Sequence, residues 1–266
     1  VPTLNSYKLL PKLIYSLEKQ TFSQWRAIFV DGGSSKKHIN KLEQICLNNK
    51  RFTWVKQSND HKFIYGAMNY GMKFANKGEW VLFWGSDDYA SSKNSLMQYV
   101  KIYNKSEKLY NLKPDLIVLA GRYFNFFNRK KTRTTFFSFP KELQNYNSND
   151  IKKKFLLGFA IPHQSVAFSP RSIKLLKNYD EKFRLAADLN CFLELVFKYE
   201  INLATSNKVT VNIADSGISY RLRNQRLNEV FTIYKKFYPR IYLFPLIFRY
   251  SRKIINKIIL FKFNKN

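Results

Sequence analysis

Trp80-Val81-Leu82-Phe83-Trp84-Gly85-Ser86-Asp87-Asp88 is the stretch whose reading decides the fold. Five apolar residues in a row read as a strand covered on both faces, as a parallel sheet holds its strands, and the run ends on two adjacent carboxylates. The same pattern stands earlier, where Ala27-Ile28-Phe29-Val30 runs into Asp31-Gly32-Gly33-Ser34-Ser35. Only 18 Asp and Glu face 46 Lys and Arg in the 266 residues, so acid collected at strand ends needs a reason. Carboxylates this close oppose each other's ionisation, and a divalent cation or a set of hydrogen-bond donors relieves that. Together the clusters point to a nucleotide and metal site on the carboxyl edge of an α/β sheet.

Outward from these runs the chain alternates strand and helix. Val1 to Asn5 reads as the tail of a first strand, so the chain is expected to begin a few residues before Val1. Tyr7 to Gln20 carries Leu9, Leu10, Leu13, Ile14 and Leu17 at helical spacing, with Pro11 near the start, where its missing N–H costs little. Arg26 to Val30 and Phe52 to Lys56 read as strands, His38 to Leu47 and Tyr65 to Ala75 as helices. The alternation predicts a doubly wound, Rossmann-like, mostly parallel sheet flanked by helices. Further on, Ser95 to Tyr103, Ser169 to Leu176, Ala186 to Phe197 and Leu227 to Phe237 read as helices. Leu116 to Phe124 and Ser165 to Phe168 read as strands, and Lys208 to Ile213 as an edge strand. Residues 125–149 lack periodicity and exceed ordinary loop lengths, which predicts a lid or an excursion. The expected organisation is a main domain over 1–220, with halves over 1–110 and 111–220. A basic, amphipathic helical extension over 221–266 follows.

The net charge of +28 predicts attraction to anions: nucleic acid, anionic lipid or a phosphorylated substrate. Lysines scattered over loops and helix faces fit a solvated surface equally well, and none of the named nucleic-acid motifs occurs, so no specific nucleic acid is expected. Cys46 and Cys191 are too few for a disulfide scaffold and lack metal-ligand spacing with the three His. A reducing compartment follows, and with it a cytoplasmic location. No apolar run reaches the length of a membrane span. The tail, through Ile241-Tyr242-Leu243-Phe244 and Ile258-Ile259-Leu260, suits an anionic surface at the inner face of a membrane; packing on the body or a homodimer contact are the other readings.

Several residue types carry chemistry. Asp31 either closes its own turn or accepts a hydrogen bond from a nucleobase or ribose. Asp87 and Asp88 suit Mg²⁺ or Mn²⁺ with diphosphate oxygens completing the shell; as simple helix caps they are redundant with Ser91 and Ser92. Asp188, early in a helix, is either a favourable anion at the dipole's positive end or a general base for a hydroxyl. His163-Gln164 can hydrogen-bond a hydroxyl or phosphate. His38 reads as structural and Cys191 as core.

In this order the motifs resemble the family-two glycosyltransferases of the GT-A fold, particularly bacterial enzymes of capsule, exopolysaccharide or lipopolysaccharide biosynthesis, over roughly residues 1–200. Thr3-x-Asn5 is similar to the family's first-strand ending beside the base, and Asp31-Gly32-Gly33-Ser34-Ser35 to the loop whose Asp binds uracil. Ile64-Tyr65-Gly66-Ala67-Met68-Asn69 resembles the helix beside nucleotide and donor sugar. Ser86-Asp87-Asp88 resembles the metal motif, with Asp87 toward ribose or sugar and Asp88 on the metal. His163-Gln164 matches a subgroup pair near acceptor or diphosphate. Tyr179-Asp180-Glu181 through Ala186-Ala187-Asp188 resembles the segment that supplies the base, which implies Asp188.

The chain departs from the subgroup at His61, Phe63, Gly66 and Asn190. An acid is lost at 66, and Asp60 is expected to replace the one that His61 displaced. The resemblance implies inverting, metal-dependent transfer of a sugar from a nucleotide-diphosphate donor, a UDP-sugar by the Asp31 loop, to a hydroxyl of a glycan or lipid-linked acceptor. A catalytically weakened nucleotide-sugar or glycan-binding relative is the main alternative. A nucleotidyltransferase, which is expected to carry a glycine-rich phosphate loop near its first strand, and a nucleic-acid binder fit less well.

Overall fold

The computed structural model describes residues 1–125, 130–137, 142–215 and 222–252. Its first half follows the expected alternation: β1 (Pro2–Thr3), α1 (Leu10–Glu18), β2 (Ala27–Asp31), α2 (Lys36–Asn48), β3 (Phe52–Lys56), α3 (Phe63–Met72), β4 (Val81–Leu82), β5 (Tyr89–Ala90) and α4 (Ser95–Tyr110). Strands β1, β2 and β3 form a parallel sheet in that order, with Thr3 opposite Asp31 and Asp31 opposite Lys56. Parallel neighbours require crossovers, which α1 and α2 supply. Leu10, Leu13 and Leu17 of α1 and Leu42 and Ile45 of α2 enclose Phe29 and Phe52 in one apolar cluster. This register sets Asp31 at the carboxyl edge, where the chain leaves the sheet.

The second sheet is mixed. At its centre β6 (Leu116–Phe124) and β10 (Asn202–Ala214) run parallel. β4 joins through β9 (Val166–Phe168), and β5, β7 (Lys131–Thr135) and β8 (Gln144–Asn147) complete it, each of these pairings antiparallel. The α/β class stands, while the mostly parallel pattern holds only for the first sheet and the β6–β10 pair. Both faces of β6 are apolar because both are covered. Leu116 and Val118 pack toward α5 (Ser148–Leu156), α6 (Pro170–Leu176) and α7 (Ala187–Lys198), and Ile117 and Leu119 toward α4.

Three expectations change. Of the run Trp80–Trp84 only Val81 and Leu82 enter a ladder. Phe83 and Trp84 are instead anchors: Phe83 stacks on His163, and Trp84 Nε1 donates to the Gln164 carbonyl at 2.8 Å. β10 lies inside the sheet; the polar residues of its alternation, Thr210 and Asn212, are buried, and the register shifts between Thr205 and Val209, where residues 207 and 208 are exposed. The described parts of 125–149 are not a lid. β7 and β8 extend the sheet and Phe137 is fully buried; residues 126–129 and 138–141 lie outside the described residues. After residue 221, α8 (Arg223–Phe237) enters the main core through Val230, Ile233 and Tyr234. Tail residues 253–266, with Ile258-Ile259-Leu260, lie outside the described residues. Among the described residues no helix is long and apolar enough to cross a membrane.

Candidate active site

Asp31 ends β2 with its carboxylate buried and turned into its own loop. Oδ2 accepts the backbone N–H groups of Gly33 (3.0 Å) and Ser34 (2.9 Å), and Oδ1 accepts the Ser34 hydroxyl. Gly33 has φ +93°, which only glycine adopts without strain. Asn5 braces the loop from the first strand: its N–H donates to Ser34 Oγ (2.8 Å) and its Oδ1 accepts from Ser35 N (2.9 Å). Buried Thr3 lies beside the carboxylate, its Oγ1 3.5 Å from Oδ1. His38 packs beneath at 3.5 Å from the same oxygen, as a core histidine whose burial lowers its pKa against the pull of Asp31. The turn-closing reading of Asp31 is therefore realised in full.

Asp87 and Asp88 follow β4 in a turn built on Gly85. A Cβ on Gly85 would lie 2.6 Å from Asp87 Oδ1 and 3.1 Å from Asp88 Oδ2, so both carboxylates close on the space that glycine leaves. Asp88 Oδ2 accepts the Gly85 N–H at 2.6 Å. Burial pushes the Asp88 carboxyl well above the usual range and the Asp87 charge adds to this, while the N–H groups of Gly85 and Ala214 oppose it. Burial raises Asp87 as well. A pair of hard oxygen donors that resists ionisation alone fits a divalent cation. Among the described residues no group of three or more His, Cys, Asp or Glu is gathered to hold a metal. Ser86 is half-buried in the same turn.

Asp188 stands in the first turn of α7, whose N-cap residue Ala186 has no capping side chain. Its Oδ1 accepts the Tyr65 hydroxyl at 3.1 Å. Burial drives the Tyr65 phenol well above its usual pKa, with Asp188 adding to the shift; Tyr65 is a neutral donor and Asp188 the acceptor. The loop leading to Asp188 is held from α8. Glu229 Oε2 accepts the N–H groups of Leu185 (2.8 Å) and Ala186 (2.9 Å), and Oε1 that of Arg184 (3.1 Å). A carboxylate from a distant helix thus holds the three residues that lead into α7.

Three other expected site residues, Met68, Asn69 and His163, are buried. Asn69 is buried with both ends of its amide used: Oδ1 accepts from Tyr179 N (2.7 Å), and Nδ2 donates to Tyr179 O (3.0 Å) and Glu181 Oε1 (2.8 Å). Met68 lies in the main core. His163 is buried, its Nε2 2.8 Å from the Tyr179 hydroxyl, and burial lowers its pKa; Gln164 contributes its carbonyl to Trp84. Asp60 is exposed and accepts only from Ser58, at 3.4 Å. It does not replace the missing acid.

Glu181 is the carboxylate that faces positions 61 and 66. Its carboxylate meets His61 Nδ1 (2.7 Å), Lys62 N (3.0 Å) and Asn69 Nδ2. A Cβ on Gly66 would lie 2.9 Å from Glu181 Oε2, so the departures at 61 and 66 are matched to one remote carboxylate. Of the other two departures, Phe63 is exposed with the Arg184 guanidinium 4.0 Å from its ring centre, and Asn190 of α7 bridges Glu194 on its own helix and Lys236 of α8. Tyr65, Glu181 and Glu229 were missed as site residues. Acid scarcity is the available signal, since Glu229 is the last acid of the chain.

The description Glycosyl transferase family 2 matches residues 1–179. The chain belongs to this family. Two PGL/p-HBAD biosynthesis glycosyltransferases, from Mycobacterium bovis (strain BCG / Pasteur 1173P2) and Mycobacterium tuberculosis (strain ATCC 25177 / H37Ra), are each 29% identical over 123 residues, 46% of this chain and 47% of theirs. The chain thus aligns with about half the length of these family-two relatives. In fold it is similar to S. aureus TarS 1–349 (TM-score 0.65, 17% identity, 88% of this chain and 62% of that one). TarS 1–349 in complex with UDP-GlcNAc gives TM-score 0.64 at 17% identity over 88% and 64%. The mannosyltransferase PcManGT from Pyrobaculum calidifontis, in complex with GDP-Man and Mn2+, gives 0.59 at 12% identity over 88% and 61%. The α8 clamp on the Asp188 loop lies beyond the family match.

Proposed function

We propose that this chain is an inverting, metal-dependent glycosyltransferase that moves a sugar from a nucleotide-diphosphate donor to a hydroxyl of a glycan or lipid-linked acceptor in surface polysaccharide biosynthesis. The observation that carries the reading is Asp188: a carboxylate at a helix N-terminus, one oxygen fixed by a neutral tyrosine and its loop clamped by Glu229. Such a group has one oxygen left to take a proton. The acceptor O–H gives its proton to Asp188 as its oxygen attacks the anomeric carbon, and the bond from that carbon to the diphosphate breaks on the opposite face. One displacement inverts the centre and needs no enzyme nucleophile.

Asp88, with Asp87 beside it, would hold Mn²⁺ or Mg²⁺, and the ion would supply positive charge for the diphosphate. Residues 1–110 bind the nucleotide and 111–220 the acceptor. UDP is the nucleotide we infer, because the Asp31 loop resembles the uracil-reading loop and the similar fold of TarS carries UDP-GlcNAc. Since Asp31 is saturated by its own loop, its part is to shape that wall, with Asn5 and Thr3 behind it.

The test is thermal stabilisation by uridine, guanosine, cytidine and thymidine diphosphates, each with and without Mn²⁺, in wild type and Asp88→Ala. A ligand at 100 times its Kd stabilises by about 2.7 kcal/mol. A Mn²⁺-dependent shift with UDP, lost in Asp88→Ala, is expected. No shift with any nucleotide contradicts the proposal and favours the glycan-binding relative.

A further inference from the structure

Residues 243–252 are helical, and this helix packs on the body through Leu246, buried Pro245 and Arg249, while a row of large apolar side chains stays outside. Its arginines point inward. Arg249 is buried, with Nη1 toward the Tyr234 hydroxyl at 3.4 Å; Arg252 Nε donates to the Leu157 carbonyl at 3.1 Å and its guanidinium lies 3.6 Å from the Phe159 ring centre. The orientation is fixed by close contact: Gly158 has φ +73°, and a Cβ there would overlap the backbone of Phe248 and Arg249. The outward face carries Leu243 (52% exposed), Phe244 (55%), Ile247 (60%) and Phe248 (40%). Their spacing of i, i+1, i+4 and i+5 makes one stripe, which Ile241 (41%) extends. A helix that packs on a soluble body ordinarily turns such a row inward.

Charge selects the occupant of this face. Residues 230–266 contain nine Lys or Arg and no Asp or Glu. Lys236 is taken by Asn190, and Arg249 and Arg252 face inward. Lys235 and Arg240 are exposed at the near end of the stripe, and neither pairs with a carboxylate among the described residues. A second copy docked stripe to stripe would set one acid-free basic segment against another. An anionic bilayer supplies both what the stripe lacks and what the lysines lack: acyl chains for the apolar side chains and phosphate for the cations.

We infer that the outward face of helix 243–252, with Lys235 and Arg240, docks on an anionic lipid surface. The inference stands apart from the proposed activity, since it uses no site residue. It is tested by co-sedimenting the full chain with vesicles of phosphatidylcholine alone and of equal parts phosphatidylcholine and phosphatidylglycerol. Wild type binds the anionic vesicles at least about tenfold more tightly than the neutral ones, and Leu243→Ser/Phe244→Ser/Ile247→Ser/Phe248→Ser loses about tenfold or more of that affinity. Lys235→Glu/Arg240→Glu, which alters no core side chain, loses a similar factor and decides the matter if the serine variant does not fold. Wild type that ignores anionic vesicles, variants that bind as wild type does, or a solution dimer that the serine substitutions dissociate each overturn the inference.

Discussion

Asp31 and Asp188 sit at two ends of the candidate site and are fixed by opposite means. Asp31 receives its donors from Gly33 and Ser34, two and three residues on. The Asp188 loop is held by Glu229, more than forty residues later and on another helix. One end closes on itself as soon as β2 is made; the other is complete only when α8 docks. The family match, which ends at residue 179, covers the first device and not the second.

The comparison breaks most visibly at Glu229. Glu229→Ala leaves two buried N–H groups and one half-buried one without an acceptor, at about 1–3 kcal/mol for each buried group. We expect a loss of about 3 kcal/mol or more in denaturant unfolding and near-complete loss of sugar transfer. Glu229→Gln keeps the shape but turns an amide N–H₂ toward backbone donors. Hydrogen exchange of the peptide spanning 183–189 should speed up by about tenfold or more, with the 27–35 loop unaffected. Equal protection in the variant would mean that the loop holds itself. Asp31→Ala is the matching cut at the local end. It removes the acceptor of three bonds in a tight turn and should cost about 2 kcal/mol, loosening 27–35 and leaving 183–189 as in wild type.

Smaller effects sharpen the picture. Tyr65→Phe removes only the hydroxyl that orients Asp188. We expect kcat to fall about tenfold with KM for the donor unchanged and a stability change within about 1.5 kcal/mol; a rise in KM alone would place Tyr65 in donor binding instead. The smallest effect concerns acid stability away from the site. Arg26 holds Glu79 through two bonds of 2.9 and 2.7 Å and pulls its carboxyl down from 4.5 to about 2. A depressed carboxyl stabilises the fold above its ordinary pKa, and this is lost as pH falls through the folded one. Glu79→Gln should flatten the decline in melting temperature between pH 4.5 and about 2, an effect kept small by solvent exposure.

The same contrast explains what the sequence disclosed. The Asp31 loop and the Asp87-Asp88 turn were legible because their closing donors, Gly33 and Ser34 for Asp31 and Gly85 for Asp88, lie within three residues, and the alternation of β1 to α3 because each helix follows its strand. Trp80–Trp84 misled because two of its five apolar side chains serve as anchors against His163 and Gln164, which a periodicity count does not distinguish from strand burial. β10 read as an edge because Thr210 and Asn212 alternate with apolar residues, and the sequence does not show that both are buried. Glu181 and Glu229 stayed hidden because their roles depend on what faces them: the space at Gly66 and the uncapped start of α7.

The central claim, that Asp188 takes the acceptor proton, is tested most directly by nucleotide release from a panel of UDP-sugars by wild type and Asp188→Asn, each first shown to be stabilised by UDP with Mn²⁺. The account predicts unchanged nucleotide stabilisation in the variant with turnover lower by about 10²- to 10⁴-fold. Turnover near the wild-type rate would contradict it and remove Asp188 from the chemistry.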